Sequence, residues 1–136
     1  KIRNKAMDFS FLHTMIRVNN LEQSISFYKD LLGMKVIKQK DYPDGKFTLV
    51  FLSYSDDESA PMIELTYNWD ISSYELGTAF GHIALGVSDI YETCKILKAK
   101  GVKILREAGE MKFGGSIIAF IEDPNGYKIE LIQKSK

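Results

Sequence analysis

The chain has 136 residues, 45% hydrophobic and 26% charged, the size and composition of one globular domain with a core of its own. Eighteen Lys plus Arg balance 18 Asp plus Glu, so the basic excess of a nucleic-acid binder is missing, save as a local patch. No apolar run approaches the roughly 18 residues of a membrane span, residues 1–11 lack the apolar stretch of a secretory signal, and the lone Cys94 has no internal disulfide partner, so a reducing, cytoplasmic setting is expected.

Residues 1–10 read as an N-terminal extension, native or added for expression, and residues 1–6 match no motif. The first strand follows, with Thr14, Ile16 and Val18 alternating against His13, Met15 and Arg17. Asn20 with Gln23 resembles a capping box, and Leu21, Ile25, Tyr28 and Leu32 form a helical stripe that stops at Gly33. Strands are expected near 35–39, 46–54 and 61–67. Between the first two, Asp41, Pro43, Asp44 and Gly45 carry turn chemistry: Pro fixes φ, and Gly permits positive φ.

The chain then repeats itself. His13–Val18 reads against His82–Val87 at an offset of 69, and Leu21, Ile25 and Tyr28 fall on Ile90, Cys94 and Leu97. Asp89 with Glu92 repeats the cap, Gly101 repeats Gly33, and Phe51 meets Phe120. Ile63, Glu64 and Leu65 match Ile129, Glu130 and Leu131 at 66, the drift reflecting insertions and deletions in loops. Further strands are expected near 103–106, 116–121 and 128–133. A period this long marks duplicated half-domains rather than a solenoid. Each half is β-α-β-β-β, and two of them make an α+β fold with a mixed or antiparallel sheet.

Both histidines of the chain occupy the same repeat position, and Glu64 and Glu130 another. Two His and two carboxylates suit Ni²⁺, Co²⁺, Fe²⁺, Mn²⁺ or Zn²⁺, with room left for water or substrate. Parity puts Glu64, Thr66 and Asn68 on one strand face and His13, Met15 and Arg17 on another, so ionisable groups line a surface that should form a pocket or hold an ion. A single His on a strand is more often merely hydrogen-bonded or at the surface, and a single Glu merely solvated. The duplication is what favours ligation. Met15, Phe51, Phe120 and Trp69 are pocket or core residues. Cys94, at the position of Ile25, reads as a small buried hydrophobe.

The runs LHTMIR (12–17), IELTYNW (63–69), YELGTAFGHIA (74–84) and EDPNGYKIEL (122–131) resemble the glyoxalase I (lactoylglutathione lyase) family, in its short bacterial form, within the vicinal oxygen chelate superfamily. The likeness covers about residues 11–133. It implies one glyoxalase-type domain over 11–136, built from two tandem βαβββ modules at about 11–70 and 80–134 around a mixed, curved sheet.

The resemblance also implies that His13, Glu64, His82 and Glu130 ligate a divalent metal. His at the first position and the absence of long insertions resemble the class activated by nickel or cobalt rather than zinc. It implies a homodimer in which His13 and Glu64 of one subunit meet His82 and Glu130 of the other. The implied reaction isomerises the hemithioacetal of methylglyoxal and glutathione to S-lactoylglutathione through a metal-stabilised enediolate, and so detoxifies methylglyoxal. Glu130 is the main base, with Glu64 serving the opposite stereoisomer. Arg17 and Asn68 are assigned to the γ-glutamyl end of glutathione, and Lys112, in a Gly-rich lid loop, to the glycyl carboxylate. Arg17 otherwise reads as a salt-bridge residue, and Lys112 as a solvated lysine. Thr78 departs from an Arg of longer homologues, which leaves another thiol such as trypanothione open. Other readings are an Fe(II) dioxygenase using two His and one Glu, and a non-catalytic small-molecule binder.

Overall fold

A computed structural model describes residues 5–135 of the chain. Of the expected N-terminal extension, residues 1–4 lie outside the described part. A 3-10 turn at Lys5–Met7 precedes β1 (His13–Val18), α1 (Leu21–Ser26), β2 (Lys35–Tyr42), β3 (Phe47–Ser53) and β4 (Met62–Asn68). The order then recurs as β5 (His82–Val87), α2 (Ile90–Ala99), β6 (Lys103–Glu110), β7 (Ile117–Glu122) and β8 (Lys128–Gln133). The chain divides into two compact units, Lys1–Ser72 and Ser73–Lys136.

Each unit holds one four-stranded mixed sheet, ordered β1-β4-β3-β2 in the first and β5-β8-β7-β6 in the second. In both, the first strand pairs parallel with the last and the remaining pairs are antiparallel. Parallel neighbours cannot be joined by a tight turn, so the helix and two strands between them form the connection. The α+β reading with paired βαβββ units therefore matches the observed topology.

The helical side of each sheet holds the core. Ile16 and Val18 of β1, Val50 and Leu52 of β3, and Ile63 and Leu65 of β4 are buried in the first unit. Ile121, Ile129 and Leu131 are buried in the second, with Ile90, Cys94 and Leu97 of α2. Both caps form: Asn20 Oδ1 accepts from Gln23 N–H at 3.1 Å and Asp89 Oδ1 from Glu92 N–H at 3.2 Å. Gly33 and Gly101 end the helical segments at φ +77° and +88°, the left-handed geometry that a Cβ disfavours.

Three local expectations change. The stripe of Leu21, Ile25, Tyr28 and Leu32 assumed a regular helix, yet α1 widens into a π turn at Phe27–Leu31, where Leu32 N–H bonds to Phe27 C=O five residues back. Of the stripe Tyr28 is buried as expected, joined by Ser24 and by Phe27, whose ring meets that of Tyr28 edge-on at 5.1 Å. β2 and β6 run beyond the expected 39 and 106, to Tyr42 and Glu110, because each crosses a register shift and continues pairing. In the β2–β3 turn the positive φ falls on Lys46 (55°), not Gly45. Gly45 is instead required by contact, since a Cβ there would sit 2.6 Å from the Phe47 ring.

Leu65 and Leu131 are equivalent and both lie at the bottom of their cores, 0% and 1% exposed. Leu65→Ala and Leu131→Ala are each expected to cost about 2–5 kcal/mol. Urea unfolding followed by circular dichroism measures both, and losses under about 1 kcal/mol would contradict the placement.

Candidate functional site

The face opposite the helix presents the ionisable groups. In the β1–β4 register, His13 stands opposite Met62 and Met15 opposite Glu64, so His13 and Glu64 are diagonal neighbours on one face. His13 Nε2 lies 2.9 Å from Glu64 Oε1. From the other side, β3 sets Phe51 opposite Glu64, and its ring meets the His13 imidazole edge-on at 5.3 Å. The second unit repeats every part. Ala84 stands opposite Glu130, His82 Nε2 lies 3.0 Å from Glu130 Oε1, and Phe120 meets His82 at 5.2 Å.

The carboxylates are sunk, at 12% and 15% side-chain exposure, and the imidazoles stand above them at 35% and 39%. A carboxylate that far from water needs a cation or hydrogen-bond donors, and the imidazole supplies one contact in each unit. The first pair opens to a cleft of about 190 Å³ walled by His13, Phe51, Ile37, Lys38 and Met62. The second opens to one of about 340 Å³ walled by His82, Phe120, Phe80, Leu105, Arg106 and Lys128.

The four expected ligands are thus brought together two by two. Among the described residues no group of three or more His, Cys, Asp or Glu stands close enough to hold an ion. Each pair nonetheless fits half of a metal's shell. Imidazole nitrogen and carboxylate oxygen are ligands for divalent transition metals, and two donors at right angles, about 2.1 Å from one ion, lie about 3 Å apart. That is the observed spacing in both pairs.

Arg17 and Asn68 lie on the His13–Glu64 face by strand parity, toward the far ends of β1 and β4, with Arg17 opposite Thr66. Lys112 is in the exposed 111–116 segment with its Nζ 5.5 Å from the Phe113 ring centre, and other residues wall the His82 cleft. Thr78 lines a hollow of about 250 Å³ that shares Phe80, Gly81 and Lys128 with that cleft. Phe51 and Phe120 belong to the site, whereas Trp69 is a clamp: its Nε1–H donates to Thr48 Oγ1 at 2.9 Å, and that hydroxyl donates to Asp41 at 2.7 Å. Cys94 is buried as expected. Burial pushes its thiol pKa up, with a smaller push from Glu107.

Two residues escaped the sequence reading. Thr66 donates its hydroxyl to Glu64 Oε2 at 2.7 Å in a buried bond, and its shared face with Glu64 was the available signal. Arg106 walls the second cleft and stands opposite Phe120, as Lys38 stands opposite Phe51, a repeat match at offset 68. Its guanidinium donates to the carbonyls of Gly109 (3.2 Å), Ile118 (2.9 Å) and Glu110 (2.8 Å) at the root of the 111–116 segment.

The profile of the Glyoxalase/Bleomycin resistance protein/Dioxygenase superfamily matches residues 10–131. The chain belongs to this superfamily. Within the glyoxalase superfamily it is 56% identical over 123 residues to a lactoylglutathione lyase of Neisseria meningitidis, covering 90% of this chain and 89% of that protein. Glyoxalase I from Zea mays superposes with a TM-score of 0.88 at 41% identity over 93% of this chain, which spans only 45% of the maize chain. A trypanothione-dependent glyoxalase I of Leishmania major superposes at 0.82 and 44% identity, over 93% of this chain and 87% of that one.

Arg106→Lys keeps the charge and loses the planar fork. Backbone amides over 109–118 are expected to exchange faster with solvent, at a stability cost of about 1–2 kcal/mol. Hydrogen exchange read by mass spectrometry checks this, and unchanged protection would remove Arg106 as the anchor of the segment.

Proposed function

We propose that the protein is a metal-dependent lactoylglutathione lyase that converts the hemithioacetal of methylglyoxal and glutathione to S-lactoylglutathione. The observation that carries the reading is the twofold His–Glu pair, at 2.9 and 3.0 Å, in a chain 56% identical to a lactoylglutathione lyase. His13, Glu64, His82 and Glu130 would hold the ion, with nickel preferred and cobalt the alternative. A divalent ion held by these residues would supply Lewis-acid stabilisation for negative charge developing on the substrate oxygens.

The reaction moves two protons. Glu130 takes one from C1 of the hemithioacetal, the electron pair of that C–H bond entering the enediolate, and returns it to C2, while the C1 hydroxyl proton passes to the C2 oxygen, so no other reactant is consumed. Glu64 occupies the matching position in the other half. Arg17 and Asn68 are assigned to the γ-glutamyl end of the thiol. Arg suits a carboxylate because it can donate two parallel bonds. Lys112 is assigned to the glycyl carboxylate. That assignment requires the 111–116 segment to fold over the substrate. Glutathione is the proposed thiol, on the 56% identity to a lactoylglutathione lyase, and comparing glutathione with trypanothione hemithioacetals decides between the thiols.

We read residues 11–136 as a single glyoxalase-type domain, working as a homodimer in the cytoplasm. Two half-shells per chain suit a pair of inter-subunit sites, His13 and Glu64 of one subunit closing on His82 and Glu130 of the partner subunit. A reducing compartment suits the single Cys94, and among the described residues no helix is long and apolar enough to cross a membrane.

Removing metal with a chelator is expected to abolish formation of S-lactoylglutathione in the ultraviolet assay, and Ni²⁺ or Co²⁺ to restore it better than Zn²⁺. Silence after loading with each metal would end the lyase reading. Glu130→Gln should lower kcat by about 10²–10⁴ while the circular dichroism spectrum is unchanged. Mixing inactive His13→Ala with inactive Glu130→Gln subunits should rebuild one intact site per heterodimer, or roughly a quarter of wild-type activity. No recovery on mixing would place the site within one chain.

A further inference from the structure

The two halves match residue for residue at the His–Glu–Phe triplet, and they part company two positions further along the last strand. Thr66 follows Glu64 on its face of β4, and Ile132 follows Glu130 on its face of β8. The registers confirm the equivalence, with Thr66 opposite Arg17 and Ile132 opposite Gly86. The consequence is a difference between the carboxylates. Glu64 has His13 against Oε1 at 2.9 Å and the Thr66 hydroxyl donating to Oε2 at 2.7 Å. Glu130 has His82 against Oε1 at 3.0 Å, and at the position of that hydroxyl stands a hydrocarbon side chain.

A carboxylate that would both hold a metal and move a proton needs freedom to turn an oxygen toward the substrate. Glu64 would have to break the buried bond to Thr66 to do so. Glu130 meets no such tether at residue 132. We infer that the Thr66 hydroxyl is a positioning group that fixes Glu64 as the staying ligand and leaves proton transfer to Glu130. The inference rests on the lyase reading for its catalytic half. Its ligand half, that Thr66 steadies a metal-binding carboxylate, does not depend on turnover, since groups that hydrogen-bond a ligand tune metal affinity by themselves.

The test uses full-length protein carrying Thr66→Val, close in shape but without a donor, and Thr66→Ser, which returns the hydroxyl. Nickel affinity is read by competition with a chromophoric chelator, and folding by thermal melting. Thr66→Val is expected to weaken nickel binding by about 10–100-fold, and Thr66→Ser to recover the wild-type constant. Thr66→Ala replaces Thr66→Val should the latter fail to fold. Turnover is compared in Glu130→Gln and in Glu130→Gln/Thr66→Val. Released from its tether, Glu64 should recover at least about tenfold of the 10²–10⁴ lost. Nickel affinity in Thr66→Val within about twofold of wild type would overturn the inference. So would a double variant no faster than Glu130→Gln. If metal-loaded wild type fails to turn over the hemithioacetal, the lyase reading falls by itself and the competition measurement decides the role of Thr66.

Discussion

Everything at the site depends on the spacing between two neighbouring parallel strands. β1 and β4 lie side by side in fixed register, so a His at the start of one and a Glu near the start of the other converge diagonally. The resulting contact is 2.9 Å in one unit and 3.0 Å in the other, although the loops around them differ in length. A tight turn cannot join parallel strands, and the helix and hairpin between them build the core that locks this register. Moving either strand by one residue would send its ligand to the helical side.

Much of this was legible because it was written twice. One His and one Glu carry little information, but the pairs His13/His82 and Glu64/Glu130, with Phe51/Phe120, mark three equivalent strand positions. Period-two alternation then assigned the faces correctly, and the buried Ile16, Val18, Ile63 and Leu65 lie where it put them. What escaped was of two kinds. Local backbone geometry escaped because side-chain pattern does not report it: the π turn at Phe27–Leu31 and the positive φ at Lys46 satisfy packing demands set by partners elsewhere in the unit. Side-chain bonds across or along strands escaped because residue type alone gives no partner, as with the Thr66 hydroxyl and the Arg106 guanidinium.

The duplication also sets a problem. Two identical half-sites would give two identical carboxylates, whereas the proposed proton transfer assigns the two different tasks. Beyond the His–Glu pairs the halves diverge: β1 and β4 continue with Arg17, Thr66 and Asn68, while β5 and β8 continue with Gly86 and Ile132. The first half carries polar side chains along this face, and the second carries the hydrocarbon of Ile132 beside Glu130, with the Lys134 side chain lying over Gly86.

Cys94 takes on a different meaning once the proposed substrate is considered. A ketoaldehyde is an electrophile that adds to thiolates, and the protein would meet it free in solution as well as in its cleft. The single thiol of the chain lies on the buried side of α2, its pKa pushed up by burial and, less, by Glu107. A buried thiol with a raised pKa reacts poorly. Packing chosen for volume at one core position therefore also keeps the one thiol of the chain out of reach of such an electrophile.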